Sequence, residues 1–318
     1  MEKETLGQKL KGFGLLLFDT ITDFLDDRCL KKSASLAYYT VFSIGPLILI
    51  LIWALGFFYG SQLDSPTGAR DEIMDELNQL FGNDIANMLD AAIKRISFEN
   101  KNSIGVYVGI GALIFSSTTI FVDIQNSINE IWRVKAKPKK GWLKIIIDRL
   151  ISFSMILGLG FLLMTSLILS SVISILMNYI VKYLPDLDIQ LLGMVNSGVS
   201  FLVIATLFGF IFAFLPDAKV RFRDILWGAI FTTLLFLLGK SVISYYLTNN
   251  ATASSYGAAG SVIILLAFVY YAAAILYFGA EFTKQYAIKY GKGIIPTSYA
   301  VLVKQTELEI DTNKNIKR

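Results

Sequence analysis

Runs of apolar residues long enough to cross a lipid bilayer recur along this chain, and they constrain its fold more tightly than any other feature. A helix needs roughly 20 residues at ~1.5 Å rise to span about 30 Å of hydrocarbon. Six segments meet that need: Leu36 to Phe58, Ile104 to Val122 with a polar helical extension to Trp132, Leu150 to Ile180, Leu191 to Leu215, Ile225 to Leu247, and Ala258 to Phe278. The third has 31 residues, about 46 Å of helix, so it must tilt or protrude. An apolar content of 54% and a mean hydropathy of +0.58 across 318 residues agree with a bilayer as solvent. The expected fold class is therefore all-α, a polytopic membrane helix bundle with about six spans.

Basic residues collect in cytoplasmic loops, which gives the spans a direction. Six Lys and Arg lie in residues 1–32, seven in 133–149, three in 216–225 and seven in 284–318, which is 23 on one side. Arg70, Lys94, Arg95, Lys101 and Lys182 make five on the other, and Lys240 inside a span completes the 29. Both termini are thus expected in the cytoplasm. Met1 to Gly14 lacks the order of features of a cleavable leader, so the first span is expected to act as its own insertion signal.

Three regions follow. Residues 1–32 are expected to form a cytoplasmic amphipathic helix, because Leu6, Leu10, Phe13, Leu17, Ile21 and Phe24 recur at helical spacing opposite Asp19, Asp23 and Asp26. Such a helix lies on the inner membrane surface or packs against the bundle. Residues 33–287 hold the spans, with an external loop at 62–102 whose periodicity predicts two short helices broken at Gly82-Asn83. These helices are expected to cover the outer face, with a lid over a substrate site as the alternative. Residues 288–318 are expected to be a cytoplasmic tail, partly disordered and polar after Ile310.

Ionisable groups inside spans are costly, so each either performs a function or is paired in packing. Asp123, Asn126, Asn129, Glu130, Arg149 and Glu281 fall in the cytoplasmic half, whereas Asn196 and Lys240 fall toward the outside. Asp123, Asn126, Ser127 and Glu130 share one helical face by spacing, giving an inward polar stripe able to line a cavity. The plainer reading has Arg149 pairing with Asp123 or Glu281 to join helices, and it is compatible with a cavity. Lys240 either snorkels to the outer interface or faces a wet cavity with Asn196, Tyr245 and Tyr256, where its charge would attract a phosphate or carboxylate. The candidate substrate path comprises Asp123, Asn126, Asn129, Glu130, Arg149, Asn196, Lys240, Tyr256 and Glu281.

Histidine is absent and Cys29 is the sole cysteine, read as a bystander. The usual neutral-pH base and commonest metal ligand are therefore missing. No nucleotide-binding or zinc-protease pattern occurs, and Gly257, Gly260 and Gly279 are read as sites of close helix approach or capping. The expectation is no catalytic residue, no metal, no cofactor and no nucleic-acid partner. The partners expected are membrane lipids and an anionic lipid or organic anion, with oligomeric state left open.

Several motifs stand in a definite order: Ser33-Ala-Ser-Leu-Ala-Tyr-Tyr-Thr-Val-Phe-Ser-Ile-Gly-Pro46, Ile128-Asn-Glu-Ile-Trp132, Leu215-Pro216 before Arg221 to Arg223, Gly228-Ala229, Lys240, Tyr256-Gly257 and Gly279-Ala-Glu281. In this arrangement, over about residues 30 to 287, the chain resembles the YihY/BrkB family of bacterial inner-membrane proteins, once labelled ribonuclease BN. The resemblance implies a six-helix envelope protein linked to serum resistance, envelope integrity and export of lipid or lipopolysaccharide precursors. Residues 1–29 and 288–318 and the external helices lie outside it. A transporter or flippase of an anionic amphiphile is the leading expectation and a non-transporting scaffold the alternative. A ribonuclease is disfavoured, because phosphodiester cleavage generally recruits histidines or carboxylate-bound metals.

Overall fold

The computed structural model describes residues 6–40, 119–137, 158, 189–249 and 258–304. The external loop 62–102, the third span apart from residue 158, most of the first span and the tail beyond 304 lie outside the described residues, as do Arg149 and Tyr256. In chain order the elements are α1 (Leu6–Asp26), α2 (described over 29–40), α3 (described over 119–131), β1 (Val134–Ala136), α4 (Ile189–Phe214), β2 (Ala218–Lys219), α5 (Phe222–Asn249), α6 (Ala258–Tyr290), β3 (Ile295–Pro296) and β4 (Ala300–Leu302). The protein is an all-α bundle with two short antiparallel strand pairs at one end. Among the described residues, three helices are long and apolar enough to cross a membrane, over Ser197–Phe214, Phe222–Ile243 and Leu265–Tyr290.

Local chemistry fixes the helix ends. α4 stops where Pro216 follows Leu215, since a proline disfavours the helical conformation of the residue before it. α5 opens with Asp224 in its first turn, where a carboxylate complements the positive end of the helix dipole. α6 closes with Gly291 and Gly293 both donating to Ala287 O, at 3.0 and 2.9 Å, with Gly293 in the left-handed region at φ 73°. The sixth span was expected to end at Phe278, but α6 continues to Tyr290. At 33 residues, about 50 Å, it outruns the hydrocarbon. It continues because residues 279–290 bury one face against other helices.

α4, α5, α6 and α1 pack side by side in that order. Phe208 of α4, Phe236 of α5 and Phe268 of α6 join the three apolar helices, with ring centroids 5.9 and 6.3 Å apart. The closest approach is between α5 and α6. Gly228 lies against Thr283, and Gly279 lies against Thr232, so each helix sets a glycine under the other's threonine. Both pairs read Gly-x-x-x-Thr, and each hydroxyl donates back to the glycine carbonyl one turn earlier at 2.7 Å. This leaves no donor unsatisfied while the backbones meet. Gly239 under Tyr271 extends the seam toward one end of the bundle, and Gly291 against Asp224 extends it toward the other.

α1 runs antiparallel along the last turns of α6. Lys289 Nζ donates to Gly12 O at 2.7 Å, while Phe24 meets Phe278 eleven residues back along α6 at a centroid distance of 5.4 Å. The helix expected here is present, in its packed form. Its bundle-facing stripe is Leu16, Thr20 and Asp27 with Asp23 and Phe24 half-buried, whereas Phe13 and Ile21, assigned to the apolar face from periodicity, are exposed. An acid-bearing face turns inward because cations await it, as described below.

The seam yields a stability prediction. Gly228→Ala and Gly279→Ala each drive a methyl group into a threonine and should cost about 1–3 kcal/mol. Gly198→Ala on α4 meets nothing within 4 Å and should stay within about 0.5 kcal/mol of the parent. Thermal unfolding of the detergent-purified full chain checks this, and equal effects at all three sites would contradict it.

Candidate polar site at one end of the bundle

The C-terminal ends of α3, α4 and α6 and the N-terminal ends of α2 and α5 meet at one end, where nearly all buried polar groups of the described residues gather. Two centres organise them.

The first is Asp217, in the short link between α4 and α5. Its carboxylate accepts from Gln125 Nε2 at 3.2 Å, Asn129 Nδ2 at 2.9 Å and Tyr299 OH at 3.2 Å. Its backbone N–H donates to Asn129 Oδ1 at 2.8 Å, and its carbonyl accepts from the Thr297 amide and hydroxyl, both at 3.0 Å. Gln125 and Asn129 are one helical turn apart on α3, so a single face delivers both amides. The residues after α6 complete the clasp: β3 pairs with β2 (Ala218 opposite Pro296), and β4 pairs with β1 (Val134 opposite Leu302). One side chain thus ties together α3, the link after α4 and the chain after α6.

The second centre is Lys284 of α6, almost fully buried. Its ammonium lies 2.5 Å from Glu281 Oε2, 2.7 Å from Asp23 Oδ2 and 3.7 Å from Asp27 Oδ2. Arg133 pairs with Asp27 at 2.7 Å, and Lys32 reaches both Glu130 at 3.2 Å and the Asp27 carbonyl at 2.7 Å. Gln285 adds a bond to Asp23 at 2.6 Å. Arg28 and Arg133 occupy the left-handed region at φ 51° and 57°, a conformation uncommon outside glycine, each in the turn that follows a helix, two residues past its end. Trp132, fully buried, donates from Nε1 to Ala280 O at 3.0 Å and anchors α3 on α6. Cys29, read as a bystander, is completely buried, and its thiol points at Glu281 Oε1 from 3.9 Å. Burial and the Glu281 charge push that thiol up to about 12, so it stays protonated near neutral pH.

A cleft of about 440 Å³ opens beside these centres, between the last turns of α3 and the β1–β4 pair. Asn126, Asn129, Glu130, Arg133, Lys135 and Val303 line it. Asn126 and Lys135 are its exposed polar donors, while Asn129 and Arg133 on the same wall are bonded to Asp217 and Asp27, and a cation beside an amide suits the polar head of an anion. Among the described residues no group of three or more acidic or cysteine side chains is placed to hold a metal ion.

The residues singled out in the sequence separate. Asn126, Asn129 and Glu130 line the cleft, but the stripe of Asp123, Asn126, Ser127 and Glu130 is not one inward surface. Asn126 and Glu130 are exposed, Asp123 is half-buried near Tyr277, and the buried amides are Gln125 and Asn129, because Asp217 waits on that side. Glu281 is buried and off the cleft, and the cation beside it is Lys284 from its own helix. Lys240 is half-exposed next to Gly239, where α5 meets Tyr271, ten residues or about 15 Å along α6 from Glu281. Asn196 falls on α4. Asp217, Gln125, Lys284, Asp23 and Asp27 were not among the candidates. The spacing of Glu281 and Lys284, three apart on one helix, was the available signal.

The sequence pattern of the family described as Virulence factor BrkB matches residues 20–294 of this chain. The chain belongs to the BrkB family. Among relatives, a UPF0761 membrane protein of Photobacterium profundum is 29% identical over 315 residues, 92% of this chain and 90% of that one. One of Alteromonas mediterranea is 28% identical over 262 residues, 81% and 83% of the two chains. One of Pseudomonas aeruginosa is 27% identical over 227 residues, and there this chain spans 51% of the relative's length. No solved structure matches the chain. The family match includes α2 through α6, and so takes in Lys284 with its partners and Asp217 with Gln125 and Asn129, but it starts inside α1 and stops before β3, leaving Thr297 and Tyr299 beyond it.

Asp217→Asn should expose the value of the first centre. An amide placed among Gln125, Asn129 and Tyr299 turns a donor toward a donor, at a cost of about 1–3 kcal/mol for each buried group left unpaired. Limited proteolysis of the full chain should then cut within residues 291–304 faster than in the parent. Unchanged cleavage and unfolding temperature would show that the clasp does not depend on Asp217.

Proposed function

We propose that this membrane protein takes up the anionic head of an amphiphile in the cleft beside α3 and moves it between leaflets, as a transporter or flippase serving the envelope. The cleft carries the reading: it is open, roomy enough for a headgroup, and edged by Arg133 and Lys135 with the amides of Asn126 and Asn129. Exposed apolar side chains run along α4 and α5, among them Leu202, Leu226, Leu234 and Leu238, and on this reading a tail follows them in hydrocarbon while its head sits in the cleft.

We place the polar end at the cytoplasmic face of a bacterial inner membrane, with both termini inside. Lys32, Arg133, Lys135, Lys219, Arg221, Arg223, Lys284, Lys289 and Lys292 cluster at that end, and a basic end favours the cytoplasmic side and its anionic lipids. The reading assigns no covalent step, cofactor or nucleic-acid partner to the chain.

A scaffold role is the second reading, favoured by the full burial of Glu281 and the closeness of the α5–α6 seam. Vesicles separate the two. With a fluorescent anionic phospholipid and an impermeant quencher, the full chain should expose inner-leaflet lipid faster than protein-free vesicles. Lys135→Glu, at an exposed cleft position, should slow that exposure several-fold and leave the unfolding temperature unchanged. Movement no faster than in empty vesicles, across phospholipids and other organic anions, would sink transport and leave the scaffold.

A further inference from the structure

α1 and α5 each pack along α6, and far less on one another, so a furrow runs between them with α6 as its floor. That floor is aromatic. Phe278, Phe282, Tyr286 and Tyr290 recur every fourth residue on α6, and from Phe282 onward successive ring centroids lie 6.1 and 5.2 Å apart. α5 contributes Phe231, stacked on Phe282 at 3.8 Å, and Trp227, 6.4 Å from Tyr286. α1 contributes Phe13, 6.5 Å from Phe282, and Phe24, 5.4 Å from Phe278. This packing leaves the outer rings open: Phe13, Trp227 and Tyr290 are 47%, 46% and 49% exposed. The furrow faces away from the cleft. Ala280, which meets Trp132 of α3, and Phe282 are two residues apart, about 200° around the helix.

Along α5 the chemistry of this flank changes in order. Arg223, Trp227, Phe231, Leu234 and Leu238 follow at helical spacing on one face, with Arg223 at the polar end and the exposed leucines furthest from it. From Arg223 to Leu238 the helix rises about 22 Å, close to the headgroup region and hydrocarbon of one leaflet. A cation, then rings, then aliphatic side chains is the order that matches the phosphate, ester region and acyl chain of an anionic phospholipid. Lys289, exposed on α6 and bonded to Gly12 O, sets a second cation at the polar end, its Nζ 5.8 Å from the Tyr290 ring centroid. Carboxylates are turned elsewhere. Asp224 points into the α5–α6 seam against Gly291, and the exposed Asp19 and Asp26 lie about 140° and 160° around α1 from Phe24.

We propose that this furrow is a second lipid site, which holds one anionic phospholipid of the adjoining leaflet with its phosphate at Arg223 and Lys289 and a chain along Phe231, Leu234 and Leu238. The lipid bridges α1 and α5 and so helps to hold α1 on the bundle. This site stands whether or not the cleft moves lipid.

Trp227 reports on the furrow directly. The full chain is placed in phosphatidylcholine nanodiscs with increasing amounts of phosphatidylglycerol or phosphatidylcholine brominated near the head end of the acyl chains. Quenching of Trp227 is the difference between wild type and Trp227→Phe. Brominated phosphatidylglycerol should half-quench it at roughly five-fold lower mole fraction than brominated phosphatidylcholine. Arg223→Gln, at an exposed position, should narrow that ratio several-fold, whereas Lys135→Glu in the cleft should leave it unchanged. Equal quenching by the two lipids would overturn the site. A ratio that falls as much in Lys135→Glu as in Arg223→Gln would overturn it too, since that marks a diffuse basic surface. If Trp227→Phe does not fold, unfolding temperature in detergent decides: phosphatidylglycerol should raise it more than phosphatidylcholine in wild type and less so in Arg223→Gln, and an equal rise with both lipids refutes the proposal.

Discussion

The closeness of α5 and α6 is the constraint on which the rest of the described structure rests. In hydrocarbon there is no solvent to squeeze apolar helices together, so association depends on packing and on satisfied polar groups. Here the reciprocal glycine–threonine contacts bring two backbones together without stranding a hydroxyl. That contact fixes the rotation of α6 about its axis. The rotation then decides that Ala280 O faces Trp132, that Lys284 faces Asp23 and Asp27, and that Gly291 seats against Asp224.

From that fixed helix the polar end follows. α1 and the α1–α2 turn are held by charges projecting from α6, α3 is held by Trp132 and Arg133, and the chain after α6 returns to clasp Asp217. Removing one member of a buried charged set is costly, whereas the complete set contributes little net stability of its own. Its effect is to specify one arrangement. A bundle whose polar end is held by charge pairs and hydrogen bonds is also one that an anionic headgroup can loosen, which links the packing to the function proposed for the family member described here.

Much of this was legible in the sequence, and the remainder was illegible for physical reasons. Span positions follow from length and hydropathy alone, so the expected segments starting near Leu191 and Ile225 coincide closely with α4 and α5. The helix of the sixth span runs on past Phe278 although residues 279–290 carry Glu281, Lys284 and Lys289, which read as leaving the bilayer, because the partners that keep them helical lie more than 250 residues away in sequence, on and just after α1. Pairing at such separations has no local signature. Similarly, helical periodicity grouped Asn126 with Ser127 and Glu130, but only the position of Asp217 determines that Gln125 and Asn129 turn inward. Of the glycines read as places of close approach or capping, Gly279 proves to be one, though its partner Thr232 was not foreseen.

Hydrogen exchange in the full chain, comparing wild type with Gly279→Val, tests this hierarchy most directly. If α6 sets the polar end, widening the seam should raise exchange together in α1, in the start of α2 and in residues 291–303, far beyond the substituted turn. An increase confined to residues 225–235 and 275–285, with α1 and the C-terminal clasp protected as before, would contradict it.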